Sequence, residues 1–354
     1  MPRNIVHIVG AGTVGTPLIG ILAGRRKSLG IDELSFQPDL SEIRNITMVR
    51  GLVSHGAKLC VPEEFADEFA SAGCKIDYSS DEAIQRAGVI IDCSKPGQAT
   101  ENKSQIYSKY DSGKLFIAQS REPGFGKDYA YAINDPALVH GQDNYLRIVS
   151  CNAHNIASIV KTVGISENHS DIESGRFVCI RRANDISEAD GFIPSPKIGA
   201  HQDELYGTYQ ALDAASLFKS VGLDLDLYSS AMKVNSQYLH IIHFNIRLKT
   251  ETTLQAIIDS FQANPLIALT NKELSNQVAA FSRDMGYLGR VLNQSVISVP
   301  TLNLRNGKEL TGFCYSMQDG NSILSSVAAT IWFFFPRSYK EKLLELRDLI
   351  FDEI

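Results

Sequence analysis

A strand-like run, Ile5-Val6-His7-Ile8-Val9, leads straight into Gly10-Ala11-Gly12-Thr13-Val14-Gly15. Few patterns restrict a fold so much. Gly10 permits a tight turn, Gly12 lets backbone approach a pyrophosphate, and Gly15 allows close packing of the helix predicted over Thr16 to Arg26. The helix start then faces the phosphates. The bland alternative is a glycine turn without a ligand. Its position after a clean strand favours a dinucleotide, with Gly10, Gly12, Thr13, Val14 and Gly15 as cofactor-binding residues.

The rest of the first half keeps a βαβ rhythm. Leu34 to Phe36, Gly88 to Cys93 and Leu115 to Ala118 read as strands, and Pro62 to Ala72 and Asp81 to Arg86 as helices. After Val163 the pattern changes. Arg176 to Arg182 and Tyr238 to Leu248 alternate as strands, and Gln210 to Phe218 reads as a helix. Ser295 to Leu304 and Glu309 to Met317 read as a strand pair around Asn306-Gly307, and Lys340 to Phe351 as a closing amphipathic helix. The expected class is α/β: an N-terminal Rossmann domain, then an α+β catalytic domain with a largely antiparallel sheet. The expected boundaries are 1–150 with 320–354, and 151–319. A length of 354 residues fits two cores.

A net charge of −6 gives no basic footprint for nucleic acid. Six cysteines without C-x-x-C spacing argue against zinc and against a disulfide framework, and fit a reducing cytosol. The apolar stretch Ile323 to Phe335 is too short for a membrane span. The opening residues read as a strand, not a leader. The expectation is thus a cytoplasmic protein with no metal, membrane or nucleic-acid partner.

Cys151 lies in Ser150-Cys151-Asn152, between the strand-like Leu146 to Val149 and the helix-like Asn155 to Val163. A thiol at a helix N-terminus feels the backbone N–H groups, which favour the thiolate. Such a sulfur can attack an aldehyde and, after hydride transfer, carry a thioester. The N–H of Asn152 or of Cys151 can stabilise the oxyanion. An inert buried thiol is the alternative, and it suits the other five cysteines. His240 and His243 are candidate bases, on opposite faces if their strand is regular. Either can equally be a hydrogen-bonded core histidine. Arg181, Arg182 and His201 can clamp a phosphate, or be solvated surface groups. Lys197 and Lys233 are unranked additions. Asp39 past strand two favours NAD, whereas Arg44 suits the 2′-phosphate of NADP. Ser94 to Gly97 follows a strand and lies along the cofactor, or is an ordinary loop.

Together, Arg147-Ile148-Val149-Ser150-Cys151-Asn152, Ile180-Arg181-Arg182-Ala183 and the histidine pair before Phe244-Asn245-Ile246 resemble archaeal-type (class II) glyceraldehyde-3-phosphate dehydrogenase. Ala118-Gln119 with Glu122, Asn264-Pro265 and Tyr315 to Gln318 extend the likeness over nearly the whole chain. The resemblance implies Cys151 as nucleophile and His240 as base, with His243 as the alternative. It implies Arg181, Arg182 and His201 as phosphate ligands, and Asn152 and Gln119 near substrate. Ser94 and Ser326 would line the cofactor, NAD or NADP, with Ser326 at the nicotinamide amide. The implied partners are a phosphorylated aldehyde and inorganic phosphate, the product 1,3-bisphosphoglycerate, and the assembly a homotetramer. Four departures stand out. Two threonines are replaced by Ala153 and His154, a histidine pair by Ala200-His201, and His-x-His is stretched to His240-Ile241-Ile242-His243. Leu324-Ser325-Ser326 replaces Pro-Glu-Asn. These keep open another aldehyde, semialdehyde or acyl phosphate, or a non-catalytic dinucleotide-binding or redox-responsive protein.

Overall fold

A computed structural model describes residues 4–110, 113–119, 122–166, 169–184 and 193–354. The chain divides into two compact units. The first comprises the described residues within Met1–Lys127, Leu138–Ile148 and Ile323–Leu346, and the second those within Asp128–Ala137, Val149–Ser322 and Arg347–Ile354.

The first unit is built on β1 (Ile5–Val9), α1 (Gly15–Leu29), β2 (Glu33–Gln37), α2 (Ile46–Ser54), β3 (Lys58–Val61), α3 (Ala66–Ser71), β4 (Tyr78–Ser79), α4 (Ser80–Arg86) and β5 (Val89–Asp92). Then come α5 (Gln98–Gln105), β6 (Leu115–Gln119), β7 (Lys127–Tyr129) and β8 (Tyr145–Ile148). The sheet order is β4-β3-β2-β1-β5-β6-β8-β7, parallel from β4 to β8. Every residue of β1, β5 and β6 is buried. Strands covered on both faces need such unbroken apolar runs. This is the expected Rossmann-like sheet.

Two glycines of the opening turn are sterically required. Gly10 has φ +89°, and a Cβ there would lie 2.8 Å from the Cys93 carbonyl oxygen. A Cβ on Gly15 would lie 1.9 Å from the Gly10 oxygen. The turn closes only because both side chains are absent.

The second unit begins with α6 (Cys151–Gly164), β9 (Ile165–Ser166), β10 (His169–Ser170), β11 (Ile172–Arg181), β12 (Lys197–Ile198), α7 (Tyr209–Lys219), β13 (Leu227–Lys233) and β14 (His240–Leu248). It continues through α8 (Leu254–Ala263), β15 (Ile267–Thr270), α9 (Ser275–Met285), β16 (Ser295–Ser298), β17 (Asn303–Arg305) and β18 (Glu309–Ser316). Two further helices, α10 (Gly320–Phe334) and α11 (Tyr339–Leu343), end the order, and from Ile323 on they belong to the first unit. The sheet runs β12-β13-β11-β14-β18-β16-β15, with β17 on β18. Most pairs are antiparallel, and β11–β13 and β15–β16 are parallel. One face is core: Phe177, Cys179, Ile242 and Phe244 pack with Ile156, Val160, Leu217 and Phe261.

Two expectations need correction. The stretch 295–304 is two strands, because Val299–Thr301 forms a 3₁₀ turn at Pro300, which has no N–H to give a ladder. Asn303–Arg305 forms the hairpin with β18 through Asn306 and Gly307 at φ 51° and 65°, and Ser295–Ser298 pairs β18 further along, at Tyr315 and Cys314. The closing helix stops at Leu343 and becomes 3₁₀ over Leu344–Leu349. Leu343, Leu346 and Leu349 are all buried. Spacing of three puts them on one edge at three residues per turn.

Gly15→Ala should lower unfolding free energy by about 1–3 kcal/mol, the usual cost of overpacking. Urea unfolding measures it, and a variant as stable as the parent contradicts the geometry of the turn.

Candidate active site

In the first unit, candidate residues gather at the carboxyl ends of the strands, where open α/β sheets bind ligands. Val9 is level with Gln37 on β2 and Asp92 on β5. Gly10 N–H donates to the Gln37 carbonyl, and Thr16 N–H to that of Gly12. Thr13 is half-buried in this turn. Val14 is the N-cap of α1, has no side-chain cap to offer, and is followed by a first turn without an acid. A positive helix end without a carboxylate suits a pyrophosphate. On these grounds the turn fits a dinucleotide.

The next loop is fixed from within. Asp92 accepts from Ser94 N–H and Oγ–H, from Asn102 Nδ2 (2.8 Å) and from Tyr107 OH (2.6 Å). Glu122 accepts from Gly97 N–H and from Thr100 N–H and Oγ–H. Ser94 therefore orders its own loop through Asp92. Gln119, at the end of β6, donates to Ser326 of α10, and both are buried. These two candidates are brought together.

In the second unit, the Ser150 hydroxyl accepts from Ala153 N–H and caps α6. Cys151 is the first residue of that 14-residue helix and is half-buried. Its Sγ lies 3.8 Å from His240 Nδ1, and Asn152 Oδ1 accepts from the same nitrogen at 3.0 Å. While Nδ1–H donates to Asn152, it cannot accept a thiol proton. It can serve a thiolate as donor, and it can accept only once the amide releases it. Asn152 thus governs which role the imidazole plays.

His240 is held well below the ordinary histidine range, first by burial, then by the charges of Arg182, Arg181 and Lys233. Arg181 and Lys233 are paired residues of parallel β11 and β13. Arg182 is buried, and its Nε donates to Asn184 O. Arg181 Nε is buried and meets no hydrogen-bond acceptor among the described residues. Three cations around a neutral imidazole, one with an unused donor, make a place for an anion.

His243 and His201 are set apart. On β14 buried and half-buried positions alternate, so His243 faces away from Cys151. Its Nε2 is 3.1 Å from Thr311 Oγ1, and its ring packs on Phe313. His201 Nδ1 accepts from Tyr228 OH at 3.0 Å, and its Nε2 meets Ser230 Oγ at 3.0 Å. Tyr228 and Ser230 alternate with the buried Leu227 and Ser229, so they face away from the Arg181 side. His154, in place of a threonine, is fully buried. Its Nδ1 bonds the Ser150 carbonyl, and burial pushes it down to about 4.

Sequence reasoning left Lys233 unranked and missed Tyr209 and Asn321. Burial pushes the Tyr209 phenol up, opposed by Arg181 and reinforced by Cys151, so it belongs to the same cluster. Asn321 Nδ2 donates to the Cys151 carbonyl at 3.0 Å and to Gln294 O. None carries a local signal, since each arrives through strand register or a distant helix start.

Burial and cations both disfavour imidazolium, so His240 should stay neutral down through pH 6.5. Lys233→Ala should move its midpoint upward. Proton NMR titration of the ring checks both, and a parent midpoint at or above 6.5 contradicts the arrangement.

No protein-family model matches the chain. It is similar to the glyceraldehyde-3-phosphate dehydrogenase of Sulfolobus acidocaldarius, 26% identical over 88% of this chain and 86% of that one. The enzyme of the same name from Pyrobaculum islandicum is 24% identical, covering 79% and 78%. That of Methanobrevibacter smithii is 26% identical, covering 73% and 71%. The likeness read from the Ser-Cys-Asn, Arg-Arg and histidine stretches therefore runs through most of the sequence, and the chain is similar over that length to archaeal proteins named glyceraldehyde-3-phosphate dehydrogenase.

Proposed function

We propose that this protein is a glyceraldehyde-3-phosphate dehydrogenase-like oxidoreductase. It oxidises the aldehyde and phosphorylates the acyl group, reversibly, to 1,3-bisphosphoglycerate. The observation that carries the reading is Cys151 Sγ at the start of α6, 3.8 Å from a buried neutral His240. The proposed division of labour follows the sequence expectation, a dinucleotide-binding domain over 1–150 with 320–354 and a catalytic domain over 151–319, except that Asp128–Ala137 and Arg347–Ile354 fall in the second compact unit.

Gly10, Gly12, Thr13, Val14 and Gly15 would hold the coenzyme's pyrophosphate, with Ser94 and Ser326 further along it. When bound, NAD or NADP supplies the hydride acceptor. The chain's own residues do the rest. The sulfur of Cys151 forms a C–S bond to the aldehyde carbon, and the carbonyl oxygen takes the electron pair. An N–H of Cys151 or Asn152 steadies that oxygen. The thiol proton of Cys151 passes to His240 as the sulfur attacks, and collapse of the oxyanion with loss of hydride from carbon leaves a thioester on Cys151. An oxygen of inorganic phosphate then attacks the acyl carbon, and the thiolate leaves. Arg181, Arg182 and Lys233 attract the phosphate groups of substrate and attacking ion, and Gln119 stands near substrate.

Cys151→Ser should cut turnover more than about a thousandfold, since serine lacks the thiolate the step needs. His240→Ala should cost about 10²–10⁴-fold. Reduced-coenzyme formation from glyceraldehyde 3-phosphate measures both. Mass spectrometry should find the acyl group on Cys151 after a single turnover, and undiminished activity of Cys151→Ser ends the proposal.

A second reading keeps the chemistry and changes the aldehyde. It draws on His201, which is tied to Tyr228 and Ser230, and on the buried ring of His154. It expects poor kcat/KM on the triose phosphate and better values on another aldehyde or semialdehyde. Full efficiency on the triose phosphate refutes it. The resemblance further implies a homotetramer. Val178 and Phe313, 38% and 37% exposed on the uncovered sheet face, offer apolar surface for one.

A further inference from the structure

The sheet of the second unit ends beneath Cys151 in one polar row. Arg181 of β11 is level with Lys233 of β13, and His240 of β14 is level with Ser316 of β18. Ile180 is level with Ile241, so Arg181 and His240 stand one step further along the same pair. Ser295 of β16 follows, one step from the Val296–Tyr315 pair. Ile242 and Cys314, two residues away on their strands, belong to the core under α6, so His240 and Ser316 leave the same face. Side chains opposite one another in such a pair have Cβ atoms about 4.5–5.5 Å apart.

The hydroxyls of this row differ. Ser295 Oγ donates to Asn155 Oδ1 at 2.9 Å. Ser316 is 1% exposed, and its Oγ meets no hydrogen-bond partner among the described residues. Cys314 on the same face is satisfied by Asn155 and by Ile242 O. A buried hydroxyl without a partner destabilises a fold, and this one lies beside the imidazole that faces the nucleophile.

His240 Nδ1 lies 3.8 Å from Cys151 Sγ and 3.0 Å from Asn152 Oδ1. With the proton on Nδ1, the amide holds it and the ring has no lone pair there for the thiol. The base-competent ring carries its proton on Nε2, and a buried N–H needs an acceptor. Granting the oxidoreductase reading above, on which this rests, we propose that Ser316 is that acceptor, a positioning residue that selects the tautomer of His240. A change of one staggered rotamer redirects its Oγ to receive Nε2–H. Arg181, on the other side of the ring, only donates and cannot serve. The imidazole thus stands between two competing acceptors, Asn152 Oδ1 for one tautomer and Ser316 Oγ for the other. As Cys151 attacks, the S–H proton passes to Nδ1 and the C–S bond forms. Nε2–H stays bonded to Ser316, which keeps its own proton throughout.

Long-range proton–nitrogen NMR correlation of the histidine-labelled full chain reads which ring nitrogen carries the proton, and needs no substrate. In the parent, Nε2–H should be the minor but detectable form. Ser316→Ala should lower its share about three- to tenfold, the effect of one neutral hydrogen bond, and Asn152→Ala should raise it. Alkylation of Cys151 by iodoacetamide near neutral pH should slow by the same factor in Ser316→Ala. It should return to within about twofold of the parent in Ser316→Thr, whose hydroxyl suits a strand. Because the bond forms only in the minor tautomer, Ser316→Ala should unfold in urea no more easily than the parent. A tautomer ratio that Ser316→Ala leaves unchanged overturns the proposal. So does a loss of stability, which would mark the hydroxyl as structural. A parent that forms no thioester on Cys151 from the triose phosphate removes the proposed function instead, and leaves the NMR result standing.

Discussion

The thiol is where it is because α6 cannot be anywhere else. From Asn152 to Val160 every residue of that helix is buried. Asn155, one turn beyond the thiol, fixes the helix by polar contacts that water cannot replace. Its Nδ2 donates to Tyr315 O at 3.1 Å, while its Oδ1 accepts from Ser295 Oγ at 2.9 Å and from Cys314 Sγ at 3.1 Å. Buried groups of this kind cost about 1–3 kcal/mol each when left unpaired. Asn321 holds the Cys151 carbonyl itself. A half-buried nucleophile thus sits on a wholly buried, hydrogen-bonded support. A few tenths of an ångström at the sulfur are decided by partners on β16, β18 and the start of α10.

Legibility in the sequence followed the range of the forces involved. The glycine turn, the Rossmann strands and the thiol at a helix start are local patterns, and Gly10, Gly15 and Cys151 stand where those patterns put them. The alternation over Tyr238 to Leu248 correctly split His240 from His243 onto two faces, but could not say which face was core. That depended on register: His243 is opposite Val178 on one side and Phe313 on the other, both exposed. The place of His201 depended on register too, because its loop returns along β13 against Tyr228 and Ser230, whose side chains face away from Arg181. Lys233 needed the parallel pairing of β13 with β11, which joins segments some fifty residues apart. Among elements, α5 escaped notice because only Ala99 of its eight residues is buried. The four-residue β3 has too few positions to show a period.

The crest of the first sheet shows how a loop can be made rigid without apolar burial. Asp92, itself buried, gathers donors from Ser94, Asn102 and Tyr107, and Glu122 gathers those at the start of α5. Each carboxylate replaces hydration by several N–H or O–H donors, the arrangement in which a buried charge is tolerated. The contrast with Asp39 is instructive. Its exposed carboxylate accepts from Ser41 N–H and Oγ–H through Oδ1, and Oδ2 lies 3.5 Å from the exposed Lys95 ammonium.

In the second unit the same charges serve two ends that are usually in conflict. Cations that draw in an anion also oppose protonation of any base among them. For His240 that opposition is useful, because an imidazolium at neutral pH has no lone pair to take a proton. In the proposed mechanism, Arg182, Arg181 and Lys233 would keep the ring competent as a base while offering their own charge to phosphate. In that mechanism an arriving anion would neutralise part of the field, and the ring's affinity for a proton would rise at the moment one must be accepted. The Asn152 amide, bonded to Nδ1, then decides whether that nitrogen gives or takes. Anion binding and proton transfer would then be coupled through electrostatics, with no movement of the backbone required.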